Sequence, residues 1–124
     1  MLRKYDFHVH TSRFSPCARS SPEGMCTRAM EIGLTGIALT EHDTWWPRQD
    51  LRELRKKFPG LTILDGVEIS CLEGHFLVFV PDSDARFKIG IASILELRGL
   101  VDSHKGILIW AHPFYMSIVG CLFS

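Results

Sequence analysis

Apolar and polar positions alternate along this chain in short blocks, and the blocks read as strands separated by helices. Tyr5 to Val9 predicts a first strand. Ser21-Pro22-Glu23 then carries a helix start, with Ser as cap, Pro at the first helical position and an acid in the first turn. That helix should run to about Ile32 and stop at Gly33. Gly36 to Thr40 is apolar nearly throughout, as a strand buried on both faces would be. Pro47 to Lys57 predicts a second helix, ended by Pro59-Gly60. Leu61 to Leu64 and Val67 to Ile69 form a third strand region, and His75 to Val80 a fourth strand. Ile89 to His104 contains a helix weakened by Gly90 and Gly99. Gly106 to Ala111 is a fifth, strongly apolar strand.

Strands linked by helices imply an α/β fold with parallel pairing and right-handed crossovers. The short Ser70–Gly74 connection is the exception and would make the fourth strand antiparallel. Length fits one small domain over residues 1–124. Hydrophobic residues make up 46% and charged residues 23%, a globular balance. The 14 basic and 14 acidic residues cancel, so charge gives no case for a nucleic-acid or anionic-membrane surface. Arg52, Arg55, Lys56 and Lys57 read as one solvated helix face. His112-Pro113 interrupts the most apolar stretch and argues against a membrane span. Four cysteines without a CxxC pair, behind an N-terminus lacking an apolar signal core, predict a reduced, cytoplasmic setting.

In folds of this class, chemistry gathers at the carboxyl ends of strands. His8 and His10 end the first strand, Glu41, His42 and Asp43 follow the second, Glu68 ends the third, and His112 follows the fifth. His75 opens the fourth, which reaches the same rim if that strand is reversed. HxH on a strand puts both imidazoles on one face, because side chains alternate. Imidazoles suit divalent transition metals. A carboxylate such as Glu68 can bridge two of them at roughly 3.5–4 Å, the spacing that clamps a phosphoryl group. His104 lies apart and reads as a surface residue.

Asp6-Phe-His-Val-His-Thr11, Thr40-Glu-His-Asp43, Gly66-Val-Glu-Ile-Ser70, Gly74-His75 and Ala111-His-Pro113 resemble, in order and spacing, the successive motifs of the PHP (polymerase and histidinol phosphatase) domain. The resemblance covers nearly the whole chain to about Phe114. It implies a distorted (β/α) barrel, here partial and unclosed, with about five strands present. It implies two or three divalent ions, zinc, manganese or iron, and hydrolysis of small-molecule phosphate esters by a metal-bound hydroxide. His8 and His10 resemble the ligands of a first ion and Glu68 the bridge to a second. His75 and His112 resemble the rest of the second ion's shell, and His42 a ligand of a third. His10, His42 and Glu68 would be catalytic in this sense. Arg13 and Arg19 are candidate phosphate forks, and Asp6 and Asp43 candidate partners that orient imidazoles, Asp43 equally a helix cap.

Two departures stand out. Ser12 to Cys17 lacks the Asp or His that the family carries there, leaving Cys17 as the nearest soft donor. No late Asp-x-His motif precedes Ser124, which leaves the Glu68, His75 and His112 set as the complete one. The alternative reading is therefore a non-catalytic metal-binding fragment or partner-bound module. An open strand edge and the apolar tail 114–124 would suit pairing between copies. A further alternative is an amidohydrolase-type barrel, which also begins with HxH but bridges its metals with a modified lysine; no lysine lies near Glu68.

Overall fold

A computed structural model describes residues 1–81, 86–91 and 93–114. The elements follow the order β1 (Tyr5–Val9), α1 (Pro22–Glu31), β2 (Gly36–Leu39), α2 (Arg48–Lys57), β3 (Thr62–Asp65), β4 (Val67–Cys71), β5 (Gly74–Phe79), α3 (Ile94–Ser103) and β6 (Ile107–Ala111). The fold is mixed α/β, with two three-stranded sheets and no closed barrel among the described residues. The apolar tail lies, from residue 115 on, outside them.

Local chemistry accounts for the helices. Ser21 Oγ accepts from Gly24 N at 3.0 Å and caps α1, Pro22 opens it, and Gly33 at φ 81° ends it. Leu51 and Leu54 give α2 its buried stripe and Arg52, Lys56 and Lys57 are exposed, while Arg55 departs from the expected solvated face by donating to Ile63 O at 2.9 and 2.7 Å.

The first sheet is parallel, in the order β1-β2-β3. The second, β4-β5-β6, is antiparallel throughout. This corrects two expectations. The third strand region is two strands, parted at Gly66, so the described residues hold six strands. A Cβ at Gly66 would lie 2.6 Å from the Phe79 ring, so only glycine lets the chain bend there with Phe79 packed against it. The strand after α3 is also antiparallel to β5 rather than parallel. The tight Cys71–Gly74 turn reverses β5, as expected, and the connection through α3 then brings β6 back along β4's direction.

Each sheet packs one face against helices. Val9, Ile37, Leu39 and Ile63 pack against Cys26, Ala29, Leu51 and Leu54 of α1 and α2. Val67, Ile69, Phe76 and Val78 pack against Leu97 and Val101 of α3. Alternation then fixes the opposite face of the second sheet. Glu68 stands beside Leu77, His75 pairs with Ala111, and Phe79 pairs with Ile107. The polar residues of that face sit at one end and the apolar ones below. A cavity of about 590 Å³ is lined by Phe7, Leu64, Phe79, Ile107 and Ile109, with Asp65 and Arg55, and by no histidine. The sheets join where His42 bridges to Glu68: Glu68 N donates to Glu41 O at 2.9 Å, and Asp43 N to Glu68 O at 2.8 Å.

Candidate metal centre

Five imidazoles close a ring around one carboxylate. Neighbouring ring centroids are 5.0 Å apart for His8–His10, 4.3 Å for His10–His42, 5.7 Å for His42–His75, 5.1 Å for His75–His112 and 5.8 Å for His112–His8. Glu68, fully buried, stands at the centre. Its Oε1 meets His8 Nε2 in a short contact and His10 Nε2 at 3.4 Å. Its Oε2 meets His75 Nδ1 at 2.9 Å, His42 Nδ1 at 3.1 Å and His112 Nε2 at 3.7 Å. All six metal-ligand candidates read from the sequence are thus brought together.

The backbone places them by three devices. β1 gains a residue against β2 between Asp6 and Val9, a bulge that turns the strand where His8 begins. Alternation alone did not foretell it, yet His8 and His10 both reach Glu68. Asp43 takes φ 51° and His112 φ 32°, left-handed values uncommon outside glycine, and each falls at or beside a candidate ligand. Asp43 Oδ1 accepts from Ser70 N at 2.8 Å, and Asp6 Oδ1 from His8 N at 3.0 Å. Both aspartates therefore brace backbone. Neither orients an imidazole, and Asp43 caps no helix.

Burial pushes the Glu68 carboxyl up, but the close His10 and His8 nitrogens and the charge on His8 and His42 outweigh it and hold it well below the usual carboxylate range. Burial lowers His42 in turn, against the pull of Glu68. An ionised carboxylate in the interior calls for a cation. Lone pairs are at hand: both ring nitrogens of His10 and Nε2 of His42 are buried without an aligned hydrogen-bond partner. Two groups have ligand atoms within 4.8 Å of one another, His8-Glu68-His112 and His10-His42-Glu68, sharing the carboxylate. The residues fit a pair of divalent ions bridged by Glu68. Donor atoms of His8 lie with those of His112 and donor atoms of His10 with those of His42, while His75 Nδ1 lies 2.9 Å from Glu68 Oε2.

The remaining candidates lie outside this ring. Arg13 Nη2 is 2.6 Å from Asp50 Oδ2, and its guanidinium lies 5.2 Å over the Trp46 ring. Arg19 is exposed. Cys17 joins neither group. His104 caps α3, its Nδ1 2.8 Å from Leu100 O. Glu41 is what the sequence left without a role. It is fully buried, and Thr11 N (2.7 Å), Thr11 Oγ1, Ser15 Oγ (2.8 Å) and Trp46 Nε1 (3.0 Å) all donate to it. Its only signal was its place beside His42 at a strand end.

The PHP domain profile matches residues 6–108. The chain belongs to the PHP domain family. Among its relatives is a 5'-3' exoribonuclease, Rnm, of Escherichia coli K12, 36% identical over 73 residues; the match covers 57% of this chain and 24% of the relative. The error-prone DNA polymerase of Cutibacterium acnes is 35% identical over 65 residues, covering 52% of this chain and 6% of the polymerase. A protein of Bifidobacterium adolescentis, described as a metal-dependent phosphoesterase, superposes with a TM-score of 0.54 at 26% identity, over 68% of this chain and 31% of its own. The chain thus spans less than a third of each. Among the described residues no helix is long and apolar enough to cross a membrane.

Proposed function

We propose that this PHP domain hydrolyses phosphate esters with divalent ions held by His8, His10, His42, Glu68, His75 and His112. One observation carries the reading: five imidazoles converge on a single buried carboxylate, with donor atoms in two groups that share it. When bound, such ions supply positive charge to a phosphoryl group and lower the pKa of a water toward neutrality. The chain's own residues do the rest. Glu68 fixes the spacing of the two groups. His10 and His42 offer unpartnered nitrogens on one side, and His8 and His112 complete the other. His75 orients Glu68. Zinc, manganese and iron all suit this imidazole-rich set. Arg19, exposed in the loop after β1, is the better placed of the two arginines to meet a phosphate, because Arg13 already pairs with Asp50.

The match to a metal-dependent phosphoesterase supports a small phosphate ester as substrate, and the balanced charge supports it over a nucleic acid. Residues 1–124 are taken as one unit of a partial barrel, in a cytoplasmic setting. The alternative is a metal-binding module without turnover, held by the same histidines and Glu68. The test is turnover of a chromogenic phosphate ester with Mn²⁺, Zn²⁺ or Fe²⁺. Turnover that a chelator removes, and that Glu68→Gln abolishes, is expected. No turnover with any of the three ions, together with unchanged metal content in His8→Ala and Glu68→Ala, overturns the proposal. One ion per chain without turnover selects the alternative.

A further inference from the structure

Resting on that metal-binding reading, we propose that Glu41 is a positioning residue, which with Thr11 and Ser15 locks the segments bearing His10 and His42 into a single ligand pair. Thr11 follows His10, and both its N–H and its hydroxyl donate to Glu41. Ser15 Oγ donates to the same carboxylate at 2.8 Å and accepts from His42 N at 3.2 Å. The result is a chain of bonds from the residue after His10, through Glu41 and Ser15, to the backbone of His42. Glu41 O also accepts from Glu68 N at 2.9 Å. Glu68 is thus bonded to this one residue, His42 follows it in the chain and His10 reaches it through Thr11, and the His10 and His42 rings lie stacked at 4.3 Å, 14° from parallel.

The chemistry of the hub supports the assignment. A buried carboxylate served only by hydroxyl and N–H donors is costly as a packing device, and an apolar side chain fills such a space more cheaply. What a carboxylate adds is direction. Four donors arriving from the loops after β1 and β2 hold both loops to one point, and groups that orient metal ligands typically change affinity 10–100-fold when removed. His8 and His112 have no bond to this hub.

Three variants test it: Glu41→Gln, Ser15→Ala, and Trp46→Phe as a control that removes one donor without breaking the link to His42. With Mn²⁺ as probe, Glu41→Gln and Ser15→Ala should weaken one of two binding events roughly 10-fold and leave the other within about twofold. Trp46→Phe should lower thermal stability and leave both. On the metal-free protein, the ring-current shifts of the stacked His10 and His42 protons should collapse in Ser15→Ala and persist in Trp46→Phe. Retained shifts in both Ser15→Ala and Glu41→Gln overturn the proposal, as does an affinity loss that merely tracks lost stability in all three. If the unaltered chain binds no Mn²⁺, the metal reading fails by itself, and the proton shifts still decide whether Glu41 sets the pair.

Discussion

Two glutamates, Glu41 and Glu68, are equally buried and joined by a backbone hydrogen bond, yet they live in opposite chemistries. Glu41 is surrounded by donors with nothing further to give: two hydroxyls, a backbone N–H and an indole N–H. Glu68 is surrounded by imidazoles, each of which can turn a lone pair to a cation. Burial does not mark the functional carboxylate. The partners do. One carboxylate is met by hydroxyl and N–H donors, and the other by imidazoles whose nitrogens could also hold a cation.

The sharpest break of this comparison is Glu68→Gln. It removes the shared charge from both candidate metal groups at once, so catalytic turnover should fall by about 10³ or more, and bound metal measured by elemental analysis should fall with it. Turnover within tenfold of the unaltered protein at unchanged metal content would show that Glu68 is not the bridge. Glu41→Ala should act on stability as well as on one of the two metal-binding events. It leaves Thr11 N and Trp46 Nε1 buried without an acceptor, at ~1–3 kcal/mol each, so urea unfolding should show a loss of about 3 kcal/mol. In the metal-free chain Glu68→Gln should cost stability as well, because the surrounding imidazoles hold the ionised carboxylate below its usual range. An unfolding midpoint at pH 7 equal to that of the unaltered chain would show that they do not.

The sequence revealed one side of this contrast and hid the other. The ring of imidazoles around Glu68 was legible because each member carries a donor atom and falls at a predicted strand end. Helix α1 was legible because Ser21, Pro22 and Gly33 act locally. Glu41 was not, because Thr11 and Ser15 lie 30 and 26 residues away and nothing near Glu41 announces them. The break at Gly66 was hidden for the same reason, since the ring that requires glycine there belongs to Phe79. The antiparallel β5–β6 pairing was not legible, because a helical connection normally implies a parallel crossover. With β5 reversed at Cys71–Gly74, a β6 that keeps the direction of β4 pairs antiparallel to it.

Cys26 calibrates the comparison. It is a third fully buried ionisable group, in the core between α1 and the first sheet, and it has neither the donors of Glu41 nor the imidazoles of Glu68. Burial, helped by the charge of Glu23, pushes its thiol up to about 11. A folded-state pKa raised above the unfolded value contributes stability at low pH that is lost as pH climbs toward it. Between pH 8 and 10.5 the chain should lose roughly 1–2 kcal/mol that Cys26→Ala does not lose. Denaturant midpoints of the two proteins across that window check this. Parallel curves would mean that burial acts weakly here, which would in turn weaken the contrast drawn for Glu68.

The smallest effect separates the two arginines. Arg13 belongs to Glu41's side of the molecule: its guanidinium lies over Trp46, whose indole donates to Glu41, and its charge is met by Asp50. An exposed pair of this kind contributes ~0–1 kcal/mol. Arg13→Ala should therefore leave KM for a phosphate ester within about threefold, a shift on the order of 0.6 kcal/mol, and change thermal stability slightly. Arg19→Ala should raise KM more than Arg13→Ala does, because its guanidinium is exposed and its fork is open to a phosphate. If Arg13→Ala has the larger KM effect, Arg13 must leave Asp50 when substrate binds, and the loop after β1 would then serve both carboxylates rather than Glu41 alone.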